Sequence, residues 1–274
     1  MSGQRDIRLV VADVDGTLVT TKKELTEEAR DAVRELGQAG IRLALTSGRP
    51  PRGMSMLIEP LDLQGFIAGF NGGVIVNSDL SVIESHALDP AIARKVHDLL
   101  VSRGLDIWVY TETAWLVRNK TAPHVAHEAW TVKFDAEVVP SFTEAHLARA
   151  SKIVGVSDDH DLVAACEKAA QMELGGKASA ARSQPYYLDV THPQANKGMV
   201  VTTLARLSNI SPQQIATIGD MPNDILMFNK SGFSIAMGNA SEAVKAQASA
   251  VADSNDNEGF AKAMRKFVLP LPVA

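Results

Sequence analysis

At 274 residues the chain has room for one large α/β domain or two of ordinary size. A hydrophobic share of 46%, a charged share of 22% and a net charge of −5 exclude a fibrous or disordered chain and give no basic balance for nucleic acid or an anionic membrane surface. The one cysteine, Cys166, excludes an internal disulfide framework and fits a reducing, cytoplasmic setting. No apolar stretch is long enough to span a bilayer, and Met1-Ser2-Gly3-Gln4-Arg5-Asp6 has no signal-like apolar region.

The first predicted element is a buried strand from Leu9 that delivers Asp13 and Asp15 onto the turn Gly16-Thr17. If the strand persists to Asp15, alternation points both carboxylates the same way. Like charges held that close call for a cation or a shared proton, and hard oxygen ligands suit magnesium rather than zinc. Gly16 allows a sharp turn, and its N–H and that of Thr17 could cradle an anion. Together these features suggest phosphoryl chemistry; the plainer alternative is a strand end with an Asp-Gly turn. Thr26 can cap a helix that buries Ala29, Ala32, Val33 and Leu36 and stops at Gly40. Ile41–Leu45 reads as a second buried strand, ending in Thr46-Ser47-Gly48-Arg49. Both loops then lie at the carboxyl ends of parallel strands, where α/β sheets bind ligands.

The middle of the chain has a different texture. A helix over 91–101 precedes strand-like runs at Ile107–Tyr110 and Trp115–Arg118, read as a hairpin with a loop of about two residues. A strand at 152–156, a helix over 159–172 and paired runs at 178–182 and 186–190 follow. All tryptophans and tyrosines fall between residues 108 and 187, and an αββ-like pattern occurs at both ends of this stretch. We expect a Rossmann-like parallel-sheet core from 1–85 and 190–274, with an inserted α+β domain at 86–189. Trp108, Tyr110, Trp115 and Trp130 would line a pocket or pack the insert's own core. His124 and His127 lack a third ligand, and Asp158-Asp159-His160-Asp161 reads as the acidic first turn of a helix.

Alternation resumes with a helix over 198–207, a strand at 215–218, the loop Gly219-Asp220-Met221-Pro222-Asn223-Asp224, a helix opening at Ile225 and a strand at 233–237 ending in Gly238-Asn239. A short strand at 251–252 and a helix over 258–267 close the core, and Leu269-Pro270-Leu271-Pro272 cannot continue it as helix or central strand.

The ordered segments DVDGT (13–17), SGR (47–49), NGG (71–73), NKG (196–198), GDMPND (219–224) and MGNA (237–240) occur with a long insert between the second and fourth. This set resembles the haloacid dehalogenase superfamily and specifically its Cof-type class IIB phosphatases, whose type-two cap occupies that position. The resemblance implies Asp13 as nucleophile and Asp15 as acid and base. It also implies magnesium held by the carboxylates of Asp13 and Asp220 and the backbone carbonyl of Asp15. Asp224 would orient Lys197 or a metal-bound water rather than coordinate directly. Lys197 and Ser47 would contact the phosphoryl oxygens beside Gly16 and Gly48. Thr46 is a rival for that contact, but the family pattern places the hydroxyl immediately before Gly-Arg. Asn71, Asn223 and Asn239 also fall in family segments near the phosphate, although Asn-Gly turns and a helix cap explain them equally well.

The function so implied is hydrolysis of small phosphorylated metabolites, sugar phosphates foremost, through an aspartyl-phosphate. A mutase of the phosphomannomutase type is the alternative, but Arg103, Arg118, Lys120 and Lys133 are scattered rather than clustered to grip a second phosphate. A non-catalytic phosphate-binding protein would be expected to lose Asp13 or Asp15. The insert is expected to act as a lid, with Pro90 and Pro193 stiffening its two connections.

Overall fold

The structure, a computed structural model, describes residues 6–269. The expectations for residues 1–5 and for the Pro270–Pro272 tail therefore lie outside the described residues. β1 (Leu9–Asp13) is buried at every position. It ends at Asp13 because the amides of Thr17, Leu18 and Val19 all turn back to the carbonyl of Val14. The strand thus does not persist to Asp15, so strand alternation does not set the direction of its carboxylate. α1 (Glu27–Gln38) is capped by Thr26, which accepts from the Ala29 amide and has Glu27 and Glu28 at the positive end of the helix dipole. Such a cap stabilises a helix by about 1 kcal/mol.

β2 (Arg42–Thr46) and β3 (Ile67–Gly69) continue the parallel sheet, while β4 (Val74–Val76) and β5 (Val82–Ser85) extend its edge antiparallel. The insert then supplies α2 (Pro90–Ser102), β6 (Asp106–Tyr110), β7 (Trp115–Val117), α3 (Val125–Val132), β8 (Glu137–Val138), α4 (Glu144–Leu147), β9 (Lys152–Val156), α5 (His160–Leu174), β10 (Ser179–Gln184) and β11 (Tyr187–Thr191). These strands form a separate six-stranded sheet in the order β10-β11-β9-β6-β7-β8. The loop joining β6 to β7 spans residues 111–114, longer than expected, and closes through the Thr111 side chain and the Ala114 amide. β11 carries the inserted sheet just past residue 189.

The chain returns through α6 (Lys197–Ser208), β12 (Ile215–Gly219), α7 (Ile225–Phe228), β13 (Phe233–Ala236), α8 (Glu242–Lys245), β14 (Ala250–Val251) and α9 (Gly259–Ala263). α7 is a single turn, and the last helix passes into a π-helical turn at Met264–Val268. The core sheet runs β14-β13-β12-β1-β2-β3-β4-β5. β1 has parallel neighbours on both sides, β12 and β2. From β1 the chain order leads out through β2 and β3 one way and through β12, β13 and β14 the other. A crevice opens at the carboxyl ends where the order reverses, and there such sheets place ligands.

The inserted sheet has two unlike faces. Ile107, Val109, Leu116, Ile153, Leu188 and Val190 pack with α2 and α5 around Cys166, forming the insert's own core. Trp108, Tyr110, Trp115, Val154 and Tyr187 face the other way and share an apolar cluster with Met54, Phe70 and the parallel sheet. The buried aromatics therefore pack between the two sheets, while Trp130 is half exposed.

Candidate active site

The end of β1, the start of α6 and the loop after β12 bring three carboxylates and one ammonium together. The Lys197 Nζ donates to Asp13 Oδ1 and to Asp224 Oδ1, each at 2.6 Å, and all three side chains are buried. A lysine in the first turn of a helix opposes the helix dipole, so its place here needs compensation, which the two carboxylates provide. Asp224 Oδ2 accepts from the amides of Asp220 and Met221 at 3.0 and 2.8 Å. Both oxygens of Asp224 are thus engaged in holding Lys197 and the loop. Asp220 is fixed by Asn239, whose Nδ2 also donates to the Gly16 carbonyl, and by the Thr17 hydroxyl at 3.4 Å. Gly16 has φ +80°, and a Cβ there would lie 2.4 Å from Asp220 Oδ2. Only glycine permits this approach of turn to carboxylate.

Carboxylate oxygens of Asp13, Asp220 and Asp224 lie within 4.8 Å of one another. Burial pushes Asp13 up to about 8 against the pull of Lys197, with the Asp224 charge adding to the rise. Burial and the Asp224 charge likewise push Asp220 up to about 6. Burial disfavours the Lys197 ammonium, but Asp13 and Asp224 outweigh it and hold its value above the lysine range. One ammonium thus faces three carboxylates, and this all-oxygen donor set fits a hard divalent cation. Asp224 spends both oxygens on Lys197 and two backbone amides, whereas Asp13 shares one oxygen with Lys197 and Asp220 meets only the neutral Asn239 and Thr17, so Asp13 and Asp220 are the side chains that could hold one.

Asp15 stands apart from this cluster. Its carboxylate takes a bidentate pair from Arg49, with both bonds at 2.7 Å, and a third contact from Lys23 at 2.6 Å. Burial alone would raise Asp15, but Arg49 and then Lys23 overcome it and hold it below the carboxylate range. Arg49 also donates to the Gly53 carbonyl, at the turn that meets Val132 of α3. Sequence reasoning assigned no role to Arg49 or Lys23. An arginine just past an apolar strand with no acid nearby in sequence was a usable signal for the first; Lys23 offered none.

The remaining side chains line the same crevice. Thr46 lies in β2, in register with Asp13, and its buried hydroxyl has no partner. Ser47 is the first residue beyond the strand; its Oγ accepts from the Arg49 amide at 3.2 Å, leaving its own proton free to donate. Asn71, at φ 57°, donates its backbone N–H to the Ser47 carbonyl, and its side chain sits against Gly48. Asn223 Nδ2 reaches Asn71 Oδ1 at 3.3 Å, tying the loops after β3 and β12 together. His124 stacks on Tyr186 with ring centroids 4.2 Å apart and pairs through Nε2 with Asp158 at 2.7 Å. The acidic run at 158–161 opens α5 as expected, with Asp161 in its first turn, although Asp159 lies just outside the helix as its N-cap. Among the described residues no helix is long and apolar enough to cross a membrane.

The chain is similar to known proteins along most of its length. The family model of the haloacid dehalogenase-like hydrolases matches residues 10–264. The 5-amino-6-(5-phospho-D-ribitylamino)uracil phosphatase YcsE of Bacillus subtilis is 26% identical, covering 98% of this chain and all of its own. A haloacid dehalogenase-like hydrolase from Bacteroides thetaiotaomicron superposes with a TM-score of 0.87 at 29% identity, covering 94% of this chain and 98% of its own. The class IIB sugar phosphatase BT4131 shares the fold, with a TM-score of 0.80 at 21% identity over 96% of this chain and all of its own. With the motif loops gathered at the switch point of a parallel sheet and an α+β module inserted between them, the chain belongs to the haloacid dehalogenase-like hydrolases and is a phosphatase.

Proposed function

We propose that the protein hydrolyses small phosphorylated metabolites, sugar phosphates foremost, with magnesium and through a phosphorylated Asp13. The observation that carries this reading is the buried Asp13 carboxylate, held at the end of β1 by Lys197 and set beside Asp220. Asp13 and Asp220, with the backbone carbonyl of Asp15, would hold the cation. When bound, it supplies positive charge that offsets the charge of the phosphoryl group. A carboxylate oxygen of Asp13 attacks phosphorus, the ester P–O bond breaks, and Asp15 gives its proton to the departing alcohol. Asp15 then takes a proton from water as that water attacks phosphorus, releasing inorganic phosphate and restoring Asp13. To act first as an acid, Asp15 must leave the Arg49–Lys23 grip and gain a proton. Lys197 keeps its charge at the phosphoryl oxygens, and Ser47, beside Gly48, donates its hydroxyl there. Asn71 and Asn223 brace the same loop pair, while Asn239 and Gly16 position Asp220. The inserted module, residues 86–189, closes over this site as the lid that excludes water and admits substrate. YcsE is named for a phosphate ester on a ribityl chain, which supports a polyhydroxylated leaving group. The acidic balance and the lone buried cysteine support a cytoplasmic enzyme that takes no nucleic acid. A panel of sugar phosphates, nucleotides, flavin mononucleotide and pyridoxal phosphate tests the assignment; no hydrolysis of any monoester would refute it.

Metal removal tests the cation site. EDTA is expected to abolish hydrolysis of p-nitrophenyl phosphate and magnesium to restore it, and full turnover in metal-free buffer would contradict the mechanism. The pH dependence has a definite sign. Asp13 and Asp220 stand above the ordinary carboxylate value in the metal-free fold. The stability this contributes is full at low pH and is lost as pH rises through those raised values. A cation competes with the same protons. Magnesium should therefore raise the unfolding midpoint more at about pH 8 than at about pH 5.5. Equal shifts at both pH values would place the metal elsewhere.

A further inference from the structure

Burial of a polar atom without a partner is uncommon in native folds and asks for an explanation. On the core-facing side of the inserted sheet, Trp108 Nε1, Trp115 Nε1, Tyr187 OH and Asp189 Oδ1 are all buried and unpartnered. Strand register places them together: Asp189 pairs with Val154, which pairs with Trp108, and Tyr110 lies between Trp115 and Lys152. Lys152 is also buried; its Nζ lies 3.3 Å from Asp189 Oδ2 and 5.0 Å from the centre of the Tyr110 ring. That ammonium also sits 5.8 Å from the ring of Phe70, and Phe70 directly precedes Asn71 of the crevice. Tyr110 in turn donates to Glu128 at 2.7 Å. This face therefore offers aromatic walls, free donors from two indoles and a phenol, and a free acceptor from Asp189.

We propose that Lys152, Asp189, Tyr187 and Trp108 grip the leaving group and determine which phosphate esters are hydrolysed. The inference rests on the phosphatase reading and deepens it. Donors and acceptors interleaved over aromatic rings match a neutral, polyhydroxylated chain or ring, whose C–H faces pack on the rings while its hydroxyls satisfy the polar atoms. A second phosphate is disfavoured, because Asp189 and Glu128 outnumber Lys152.

The test compares kcat/KM for glucose 6-phosphate, ribitol 5-phosphate, fructose 1,6-bisphosphate and p-nitrophenyl phosphate, with magnesium, in the full-length wild type and in Lys152→Met, Asp189→Asn and Tyr187→Phe. The wild type should prefer a polyol monophosphate to both the bisphosphate and the aryl ester. Tyr187→Phe removes only a hydroxyl that has no protein partner, so its unfolding midpoint should hold. Its ratio of polyol to aryl kcat/KM should nevertheless fall about tenfold, with larger falls for the other two variants. An unchanged ratio in all three variants would overturn the proposal, as would a wild type that favours the bisphosphate or the aryl ester. A wild type that hydrolyses none of the four would instead refute the phosphatase reading itself.

Discussion

Asp13→Asn is expected to lower phosphatase turnover by at least ~10⁴-fold, because no other buried carboxylate can take its place as nucleophile. Asp224 has both oxygens engaged by Lys197 and by backbone amides, and Asp220 is held by Asn239 and Thr17. The fold should tolerate the change. Burial already pushes Asp13 above the carboxylate range, and Lys197 keeps Asp224 as its partner, so no buried charge is left alone. Steady-state rates on p-nitrophenyl phosphate, together with a thermal melt in EDTA, check both parts. Substantial residual turnover in a folded variant would move the nucleophile elsewhere.

Asp15→Asn should fail differently. The nucleophile survives while proton transfer is lost, at a cost of roughly 10²–10⁴-fold for an alkyl phosphate. The loss should be smaller in the first step for p-nitrophenyl phosphate, whose leaving group needs little protonation. The variant also strips Arg49 and Lys23 of their shared carboxylate, and breaking such a partly buried pair should lower stability. Rates across alkyl and aryl esters give the readout. An equal loss for all leaving groups would assign Asp15 a purely structural role.

Much of this site was legible because its residues lie where strand and helix boundaries can be read. The apolar run before Asp13, the run Ile41–Leu45 before Ser47 and the strand before Asp220 all mark carboxyl ends of parallel strands, and chain order then sets the crevice. What was not legible depended on directions that local patterns do not encode. The turn back to Val14 ends β1 two residues early for Asp15 and sends its carboxylate to Arg49. The aromatic run at 108–115 showed a hairpin but not which face would meet the core, since either face of a sheet flanked by other layers can be apolar. β4 and β5 escaped notice because three- and four-residue strands at an antiparallel edge carry little period. Lys197 held a signal of its own: a lysine at the start of a helix, against the dipole, is costly without buried acids to meet it.

The most direct test of a covalent Asp13 intermediate is to trap it. The protein would be incubated with acetyl phosphate and magnesium, quenched, and treated with borohydride, which reduces an aspartyl-phosphate to homoserine. Peptide mass spectrometry then locates the altered residue. The mechanism predicts the change at Asp13 in the wild type and in Asp15→Asn, and none in Asp13→Asn; modification at Asp15, or at no residue while turnover proceeds, would contradict it.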